Sequence, residues 1–242
     1  MMYLNERIDD LQRGGLRVIQ RADAFRFGTD AVLLADFAAP RRHDRVCDLG
    51  TGTGIIPLLL YARENTISAD AVEIQPDMAD MAARSMAMNG LNEKIRVLSG
   101  DLRSIRTLLP HARYDLVTCN PPYGKAGCTL LNPDASKRLA RHEESCAIED
   151  VACAAAWLLQ NGGRLCCVFP AARMIEFSDA MRNYRMAPMR IRMVNSRVEK
   201  AAHLCLMEGM LDARPGLIIE PPLVIYDENN AYTPELRRIY GL

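Results

Sequence analysis

Val46–Gly54 has the sequence VCDLGTGTG, in which a short apolar strand runs directly into a glycine-rich turn. A stretch of helical periodicity, Ile55–Glu64, follows at once. Glycines in such a turn let a ligand approach the backbone closely. A dinucleotide-binding fingerprint needs glycines at positions 50, 52 and 55, but position 55 is isoleucine, so the spacing disfavours NAD. Asp48, which precedes the turn, suits a ligand with a positively charged group, such as an amino-acid moiety.

Around this stretch, short apolar segments alternate with longer segments of helical periodicity. The predicted strands are Arg45–Leu49, Ala69–Ile74, Ile95–Leu98, Tyr114–Cys119 and Gly163–Phe169, and the predicted helices between them are Ile55–Glu64, Pro76–Asn89 and Ile148–Gln160. This succession predicts an α/β fold with a doubly wound, mostly parallel sheet. After a helical stretch at Ala172–Tyr184, the extended segments Met189–Asn195 and Ala202–Leu211 predict a terminal antiparallel hairpin.

The remaining segments indicate no second domain. Gly14 and Gly15 form a turn between two short segments, and the apolar helix Asp30–Ala38 is expected to pack at the edge of the sheet. Pro221–Pro222 predicts a turn. We therefore expect a single domain over residues 1–242, with residues 1–40 as an N-terminal hairpin and helix extension. Residues 41–242 form the predicted core, which includes the C-terminal hairpin.

The composition is that of an ordinary globular chain. With 242 residues, 49% apolar and 25% charged, it is neither a disordered chain nor a small disulfide-stapled scaffold. The longest apolar runs have nine residues, whereas a membrane helix needs about 20. Charged residues near the N-terminus interrupt any signal peptide, so we expect a cytoplasmic protein without a membrane partner. Eight cysteines without a C-x-x-C pair and four scattered histidines predict no metal site.

Two further carboxylates follow predicted strands. Glu73 lies near the end of the second strand, from which a carboxylate can accept both hydroxyls of a ribose. Asp101 ends the third strand and can accept a hydrogen bond from an adenine amino group. With Asp48, these residues outline a pocket for a nucleoside joined to an amino acid, which describes S-adenosylmethionine. The alternative, that Glu73 and Asp101 are only helix caps or turn residues, explains either one but not their joint spacing.

The fourth strand ends in Asn120-Pro121-Pro122-Tyr123, which are the predicted catalytic residues. Prolines donate no amide hydrogen and hold φ fixed, so the Pro121 carbonyl and the Asn120 amide oxygen are expected to face the crevice as acceptors. Acceptors without donors select an NH2 group, and Tyr123 offers an aromatic face for a planar base or amide. An ordinary proline turn would account for the prolines but not for the flanking Asn120 and Tyr123.

On these residues the chain resembles the class I S-adenosylmethionine-dependent amino-methyltransferases, whose successive motifs match Asp48–Gly54, Glu73, Asp101 and Asn120–Tyr123. A narrower resemblance, through Phe25–Ala35 and Ala140–Glu143, is to the bacterial tRNA (adenine-N6)-methyltransferases that modify the adenosine beside the anticodon of a valine tRNA. It implies a Rossmann-like fold and a segment that closes over the methionine end of the cofactor. The predicted cofactor-binding residues are Phe27, Thr29, Asp30, Asp48, Gly50, Thr51, Gly52, Gly54, Glu73, Ile74, Asp101, Leu102 and Asn120.

RNA, in particular tRNA, is the expected partner. Lys plus Arg equals Asp plus Glu at 30 each, so only local basic clusters can indicate phosphate contacts. One cluster lies within Arg182–Lys200 and the other beside the catalytic turn. The predicted substrate-binding residues are Tyr123, Lys137, Arg138, Arg141, Arg190, Arg192, Arg197 and Lys200. Either cluster can equally be a solvated face.

Other acceptors remain open at this point. The same Asn-Pro-Pro-Tyr turn accepts a side-chain amide, as in a glutamine N5-methyltransferase that acts on a protein. Only 47 residues precede Asp48, which is short for the helical substrate domain expected of such an enzyme. Ribosomal RNA and DNA are further alternatives, although the 119 residues after Tyr123 leave little room for a separate recognition domain. A cofactor-binding module without transferase activity is disfavoured by the intact catalytic turn.

Overall fold

The computed structural model describes residues 3, 5–21, 28–121 and 148–242. Its strands are β1 (Glu6–Asp10), β2 (Arg17–Arg21), β3 (Arg45–Leu49), β4 (Ser68–Glu73), β5 (Ile95–Ser99), β6 (Tyr114–Cys119), β7 (Leu159–Pro170), β8 (Met186–Asn195), β9 (Ala202–Leu211) and β10 (Ile218–Val224). Its α-helices are α1 (Thr29–Ala38), α2 (Ile55–Arg63), α3 (Pro76–Met88), α4 (Ile105–Leu108), α5 (Ile148–Leu158), α6 (Met174–Asn183) and α7 (Pro234–Tyr240).

Strands β3 to β10 form one sheet in the order β10-β8-β9-β7-β6-β3-β4-β5. All neighbours pair in parallel except β9, which is antiparallel to both β7 and β8. This confirms the predicted mostly parallel α/β sheet with an antiparallel hairpin. The chain moves from β3 to β4 and β5 on one side and returns to β6 on the other, so the switch point lies between β3 and β6. In such sheets ligands bind at the carboxyl ends of the strands beside the switch point.

Helices cover both faces of the sheet. Alternate residues of β3 show this, because Val46 packs with α1, α2 and α7, whereas Cys47 packs with α5 and α6 on the other face. The same alternation separates Leu116 from Val117 on β6. Strands buried on both faces must be apolar at successive positions, which explains why these strands appear as uninterrupted apolar runs in the sequence.

Helix α1 lies over the middle of the sheet, against β6, β7 and β9, and not at the sheet edge as expected. Seven of its ten residues are buried. A helix that is apolar on most sides needs cover from several elements, which a position at the edge does not provide. The Arg164 side chain on β7 and the Arg190 side chain on β8 also donate to carbonyls at its C-terminal end, Ala38 at 3.0 Å and Phe37 at 2.6 Å.

The prediction of a turn at Pro221–Pro222 is wrong. Both prolines lie within β10, the last strand at one edge of the sheet, where the pairing with β8 shifts register between Glu220 and Leu223. A proline has no amide hydrogen, so it is tolerated at an edge or a bulge, where the missing donor removes no ladder hydrogen bond.

The N-terminal hairpin of β1 and β2 confirms the turn predicted at Gly14 and Gly15. It rests on α3, where the Arg84 guanidinium donates to both carboxylate oxygens of Glu6 at 2.8 and 2.6 Å. The Ile19 amide donates to the Ser85 hydroxyl at 2.9 Å. Within the described ranges, the helices lack the combination of length and apolar character needed to cross a bilayer.

Candidate active site

Four neighbouring parallel strands, β6, β3, β4 and β5, end at one edge of the sheet. Asp48 and Leu49 of β3 are opposite Thr118 and Cys119 of β6, so Gly50 and Asn120 follow at the same level. Leu49 is also opposite Val72 of β4, and Glu73 is opposite Ser99 of β5. The register therefore brings the glycine turn, Glu73, Asp101 and Asn120 to the same edge of the sheet, where the sequence predicts a ligand-binding crevice.

The glycine turn has an open face and a packed face. The Gly50 and Thr51 amides donate to the Val72 carbonyl at 2.9 and 3.0 Å, which joins the turn to the end of β4. At Gly50 and Gly52, where φ is 68° and 58°, an added Cβ would meet none of the described atoms within 4 Å. These positions leave room for a ligand over the backbone.

Gly54 differs from the other two loop glycines, because its φ of 83° is combined with close packing. A Cβ there would lie 2.5 Å from the Met86 methyl and 3.3 Å from the Ala82 methyl on α3. The third glycine therefore allows α2 and α3 to approach each other, which is a structural role beside its predicted cofactor role.

Glu73 holds the shape of the turn. It is 4% exposed, and its carboxylate accepts from the Gly52 amide at 2.8 Å and from the Gln75 amide at 2.9 Å. Each carboxylate oxygen has a second lone pair, so the side chain can still accept ribose hydroxyls. Ile74 is 41% exposed directly after the same strand, where an apolar side chain can cover the face of a planar base.

Asp48 is fully buried and only half satisfied. Its Oδ1 accepts from the Thr118 hydroxyl at 2.6 Å, whereas Oδ2 has no hydrogen-bond partner among the described residues. Burial and, to a smaller extent, the nearby charge of Glu73 raise the pKa of Asp48 to about 7, against the opposing effect of the Thr118 and Thr51 hydroxyls. An unpaired buried carboxylate oxygen is costly in the free protein and fits a cationic ligand group. The residues present thus fit the ammonium end of S-adenosylmethionine.

Asp101 is the N-cap of a short helix and also a predicted cofactor-binding residue. Its side chain accepts from the Arg103 amide at 2.9 Å, which caps the 3-10 helix Leu102–Ser104. The Arg103 guanidinium also pairs with Asp101 at 2.5 Å, and this hydrogen bonding lowers the pKa of Asp101. Both partners are partly exposed, so the pair can rearrange when a ligand enters. Leu102 is half-buried beside it.

The predicted catalytic turn is described only at its start. Asn120 is half-buried and Pro121 is buried, directly after β6. The other predicted residues of this turn and of its neighbouring basic cluster, and one from the segment before α1, lie outside the described residues. They are Pro122, Tyr123, Lys137, Arg138, Arg141 and Phe27, and their roles stay predictions.

Comparison with known proteins identifies the family to which this chain belongs. Residues 22–186 match the methyltransferase small domain family. The chain belongs to this family. Its methyltransferase region includes β3 to β7 and the whole crevice.

Two relatives carry the same functional description, tRNA1(Val) (adenine(37)-N6)-methyltransferase. The one from Porphyromonas gingivalis is 32% identical over 231 residues and covers 91% of this chain and 89% of its own. The one from Tolumonas auensis is 33% identical over 216 residues and covers 88% and 86%. These relatives confirm the family resemblance stated from the sequence.

Solved structures confirm the fold. An Agrobacterium tumefaciens protein described as a predicted O-methyltransferase superposes with a TM-score of 0.73 at 24% identity, covering 88% of this chain and 96% of that one. TrmN from Thermus thermophilus superposes with a TM-score of 0.55 at 23% identity, covering 75% of this chain and 48% of that one. The methyltransferase therefore has the predicted Rossmann-like architecture.

Thr29 and Asp30, which the resemblance places over the cofactor, lie in the first turn of α1. Thr29 lines a cavity of about 500 Å³ together with Leu59, Tyr232 and Tyr240. Contact of Thr29 and Asp30 with the cofactor stays a prediction for this methyltransferase.

The predicted RNA-binding arginines of β8 have partners within the fold. Arg190 pairs with Glu208 and Glu220, each at 3.0 Å, and Arg192 pairs with Glu235 at 2.8 Å. These carboxylates lie 18, 30 and 43 residues away in sequence, so the local charge count could not find them. Arg190 and Arg192 thus join β8 to β9, β10 and α7, and their contact with RNA remains a prediction.

The other two predicted RNA-binding residues of this cluster follow β8. The Arg197 guanidinium donates to the Asp227 carbonyl at 3.1 Å and to the Asn230 side chain, whereas Lys200 is exposed. Their RNA contacts are likewise untested. In the described part of the chain, no group of three or more His, Cys, Asp or Glu side chains could hold a metal ion.

One residue of the site was missed from the sequence. Thr118, a hydroxyl residue inside the apolar run Tyr114–Cys119, contacts Asp48 directly. The sequence feature that could have indicated it is a hydroxyl side chain inside an apolar strand segment, two residues before Asn120. The structure shows that this side chain is fully buried. Only the pairing of β3 with β6 shows what that hydroxyl meets.

Proposed function

We propose that this methyltransferase transfers a methyl group from S-adenosylmethionine to the exocyclic N6 amine of an adenosine in tRNA. The observation that carries the proposal is the pairing of β3 with β6. This pairing sets Asp48, with its unpaired oxygen, beside the strand that leads directly into Asn120 and Pro121. The two relatives are named as enzymes that act on adenosine 37 of a valine tRNA, which supports that nucleotide as the acceptor proposed here.

We propose that each residue of the crevice binds a different part of the cofactor. Asp48 receives the ammonium group at Oδ2, Glu73 accepts the ribose hydroxyls, and Asp101 accepts from the adenine amine. Ile74 and Leu102 provide apolar contact to the base. Bound there, S-adenosylmethionine would supply an electrophilic methyl group: the bond from sulfur to the methyl breaks as the bond to the amine nitrogen forms, S-adenosylhomocysteine leaves as a neutral thioether, and the amine loses one proton.

Asn120 and Pro121 prepare the acceptor. The adenine amine is a poor nucleophile, because its lone pair is delocalised into the ring. Hydrogen bonds from the amine to the Asn120 amide oxygen and the Pro121 carbonyl orient that lone pair toward the methyl group. Holding two reactants in such a pose can lower a barrier by up to about 7 to 11 kcal/mol, so no general base is assigned.

A tRNA loop is a suitable substrate for this crevice. A base must leave its stack to reach an enclosed amine-binding site, and loop adenosines lose the least stacking. Tyr123 is proposed to stack on the extruded base, and Lys137, Arg138 and Arg141 to contact phosphates. A tRNA partner also agrees with the cytoplasmic location expected from the sequence, with no membrane and no metal required.

Labelled S-adenosylmethionine tests the acceptor directly. The protein is incubated with a valine tRNA transcript, with the same transcript carrying guanosine at position 37, and with a glutamine-containing protein acceptor. Digestion and mass spectrometry then identify the methylated product. We expect N6-methyladenosine in the first transcript alone. Label in the protein acceptor as N5-methylglutamine, or equal label in both transcripts, would contradict the proposal.

A further inference from the structure

Thr118 and Asp48 form a buried hydrogen bond between two strands of the site. The Thr118 hydroxyl donates to Asp48 Oδ1 at 2.6 Å, and both side chains are 0% exposed. They are direct register partners on β6 and β3, so the contact is built into the parallel pairing.

Thr118 lies between the residues proposed to bind the acceptor and those proposed to bind the cofactor. It lies two residues before Asn120 on β6, and Asp48 lies two residues before Gly50 on β3. A threonine hydroxyl can donate one hydrogen bond, and the Thr118 hydroxyl donates it to Asp48. With Oδ1 held by Thr118, the orientation of the carboxylate is fixed and Oδ2 is the oxygen left for a ligand.

We propose that Thr118 is a positioning residue, whose hydroxyl holds Asp48 so that Oδ2 receives the ammonium group of the cofactor. The inference rests on the proposed binding of S-adenosylmethionine at Asp48 and adds a residue that acts through that carboxylate. Thr118 itself touches neither the cofactor nor the acceptor amine in this scheme.

Thr118 also affects the pKa of Asp48. Burial, together with the charge of Glu73 on β4, raises the pKa of Asp48 to about 7, and the Thr118 hydrogen bond and the Thr51 hydroxyl oppose this rise. Glu73 is the charged group that acts on Asp48 within the described residues, and the Cys47 thiol beside it packs on the opposite face of the sheet. Removal of the hydroxyl therefore raises the pKa of Asp48 and lowers its ionised fraction near neutral pH.

Cofactor binding across pH tests the role of Thr118. Calorimetry with S-adenosylmethionine and S-adenosylhomocysteine, from about pH 5.5 to about pH 8, gives an affinity that rises as Asp48 ionises. For Thr118→Val we expect affinity about 10-fold to 100-fold lower at neutral pH, because a hydrogen bond to a charged group is lost. The midpoint of the pH dependence should also move to higher pH. Thr118→Ser, which keeps the hydroxyl, should restore both properties.

Val117→Ala is the matched structural control. Val117 is the preceding residue of β6 and its buried side chain packs on the opposite face, away from Asp48. It should lower stability without moving the pH midpoint. If Thr118→Val does not fold, Thr118→Cys, with a weaker donor, should give an intermediate midpoint, and a wild-type midpoint in that variant would overturn the inference.

Two outcomes separate this inference from the proposed function. Wild-type protein that binds neither cofactor would refute the proposed cofactor site. Wild-type protein that binds with the expected pH dependence, together with a Thr118→Val variant whose affinity is unchanged or falls equally at every pH, would refute the role of Thr118 alone.

Discussion

The buried position of Asp48 lowers the stability of the free protein, and the same position suits the binding of a cationic ligand. Its carboxylate is fully buried, and one oxygen has no partner in the described part of the chain. Protein interiors disfavour an unpaired charge, so the group titrates near neutral pH and not in the acid range. A cationic ligand group would reverse this cost on binding.

The pH dependence of stability follows from the raised pKa of Asp48. Because the folded pKa of about 7 is above the ordinary value of 3.8, the stabilising contribution is complete below about pH 4 and is lost as pH rises through about 7. Asp48→Asn removes this titration. We expect the wild-type free energy of unfolding to fall by about 2 to 4 kcal/mol between about pH 4 and about pH 8, and Asp48→Asn to lose most of that slope. Urea unfolding measures both, and identical slopes would contradict the assignment.

Among the elements, the glycine turn separates ligand space from packing. Gly54→Ala must adopt a left-handed conformation and also displace the Met86 methyl on α3, whereas Gly52→Ala meets only the conformational cost. We expect a loss of about 1 to 2 kcal/mol in unfolding free energy for Gly52→Ala and about 1 kcal/mol more for Gly54→Ala. Denaturant titration compares the two variants, and equal losses would show that α3 does not press on the turn.

Strand β8 is anchored by arginines whose partners come later in the chain. Arg190→Ala leaves Glu208, which is 8% exposed, without one of its cationic partners, so we expect a loss of about 2 to 4 kcal/mol in unfolding free energy. Lys200→Ala, at an exposed position, should change stability by less than about 0.5 kcal/mol. Thermal unfolding and the KM for tRNA separate the two roles. Unchanged stability with a raised KM in Arg190→Ala would favour RNA contact.

The elements that could be predicted are those with local boundaries. The bounds of β3 and β6 agree with the sequence prediction, because a charged residue or aromatic begins each apolar run and a Gly or Asn-Pro turn ends it. Strand β7 begins at Leu159 and not at Gly163, because its length depends on pairing with β6 and β9. Strand β10 was not predicted, since Pro221 and Pro222 suit a strand only at an edge, and edges are a property of the assembled sheet.

The site follows the same division. Asp48, Glu73 and Asn120 are identifiable because each lies at or next to the carboxyl end of a strand, beside a distinctive turn. The hydrogen bond of Thr118 to Asp48 and that of Glu73 to the Gly52 amide join residues of different elements. Contacts of this kind arise from register and packing, which no local pattern in the sequence records.

At the scale of the whole molecule, the hairpin and the sheet share one core. Leu11 and Val18 of the hairpin region pack in the same buried cluster as Val46 of β3. We propose that residues 1–242 form a single domain, which predicts one cooperative unfolding transition. Hairpin amides that exchange with solvent independently of the sheet, measured by hydrogen exchange, would contradict a single unit.

In the proposed function, the ends of β3, β4 and β5 bind the cofactor and the residues directly after β6 orient the acceptor. The most direct test is the single-turnover rate of tRNA methylation by Asn120→Ala at saturating S-adenosylmethionine, with the cofactor Kd of the same variant. We predict a rate at least about 100-fold lower and a Kd within about twofold of the wild type, because the acceptor amine loses a partner whereas Asp48, Glu73 and Asp101 keep the main contacts proposed for the cofactor. A rate within about threefold of the wild type, or a Kd that weakens in parallel with the rate, would contradict it.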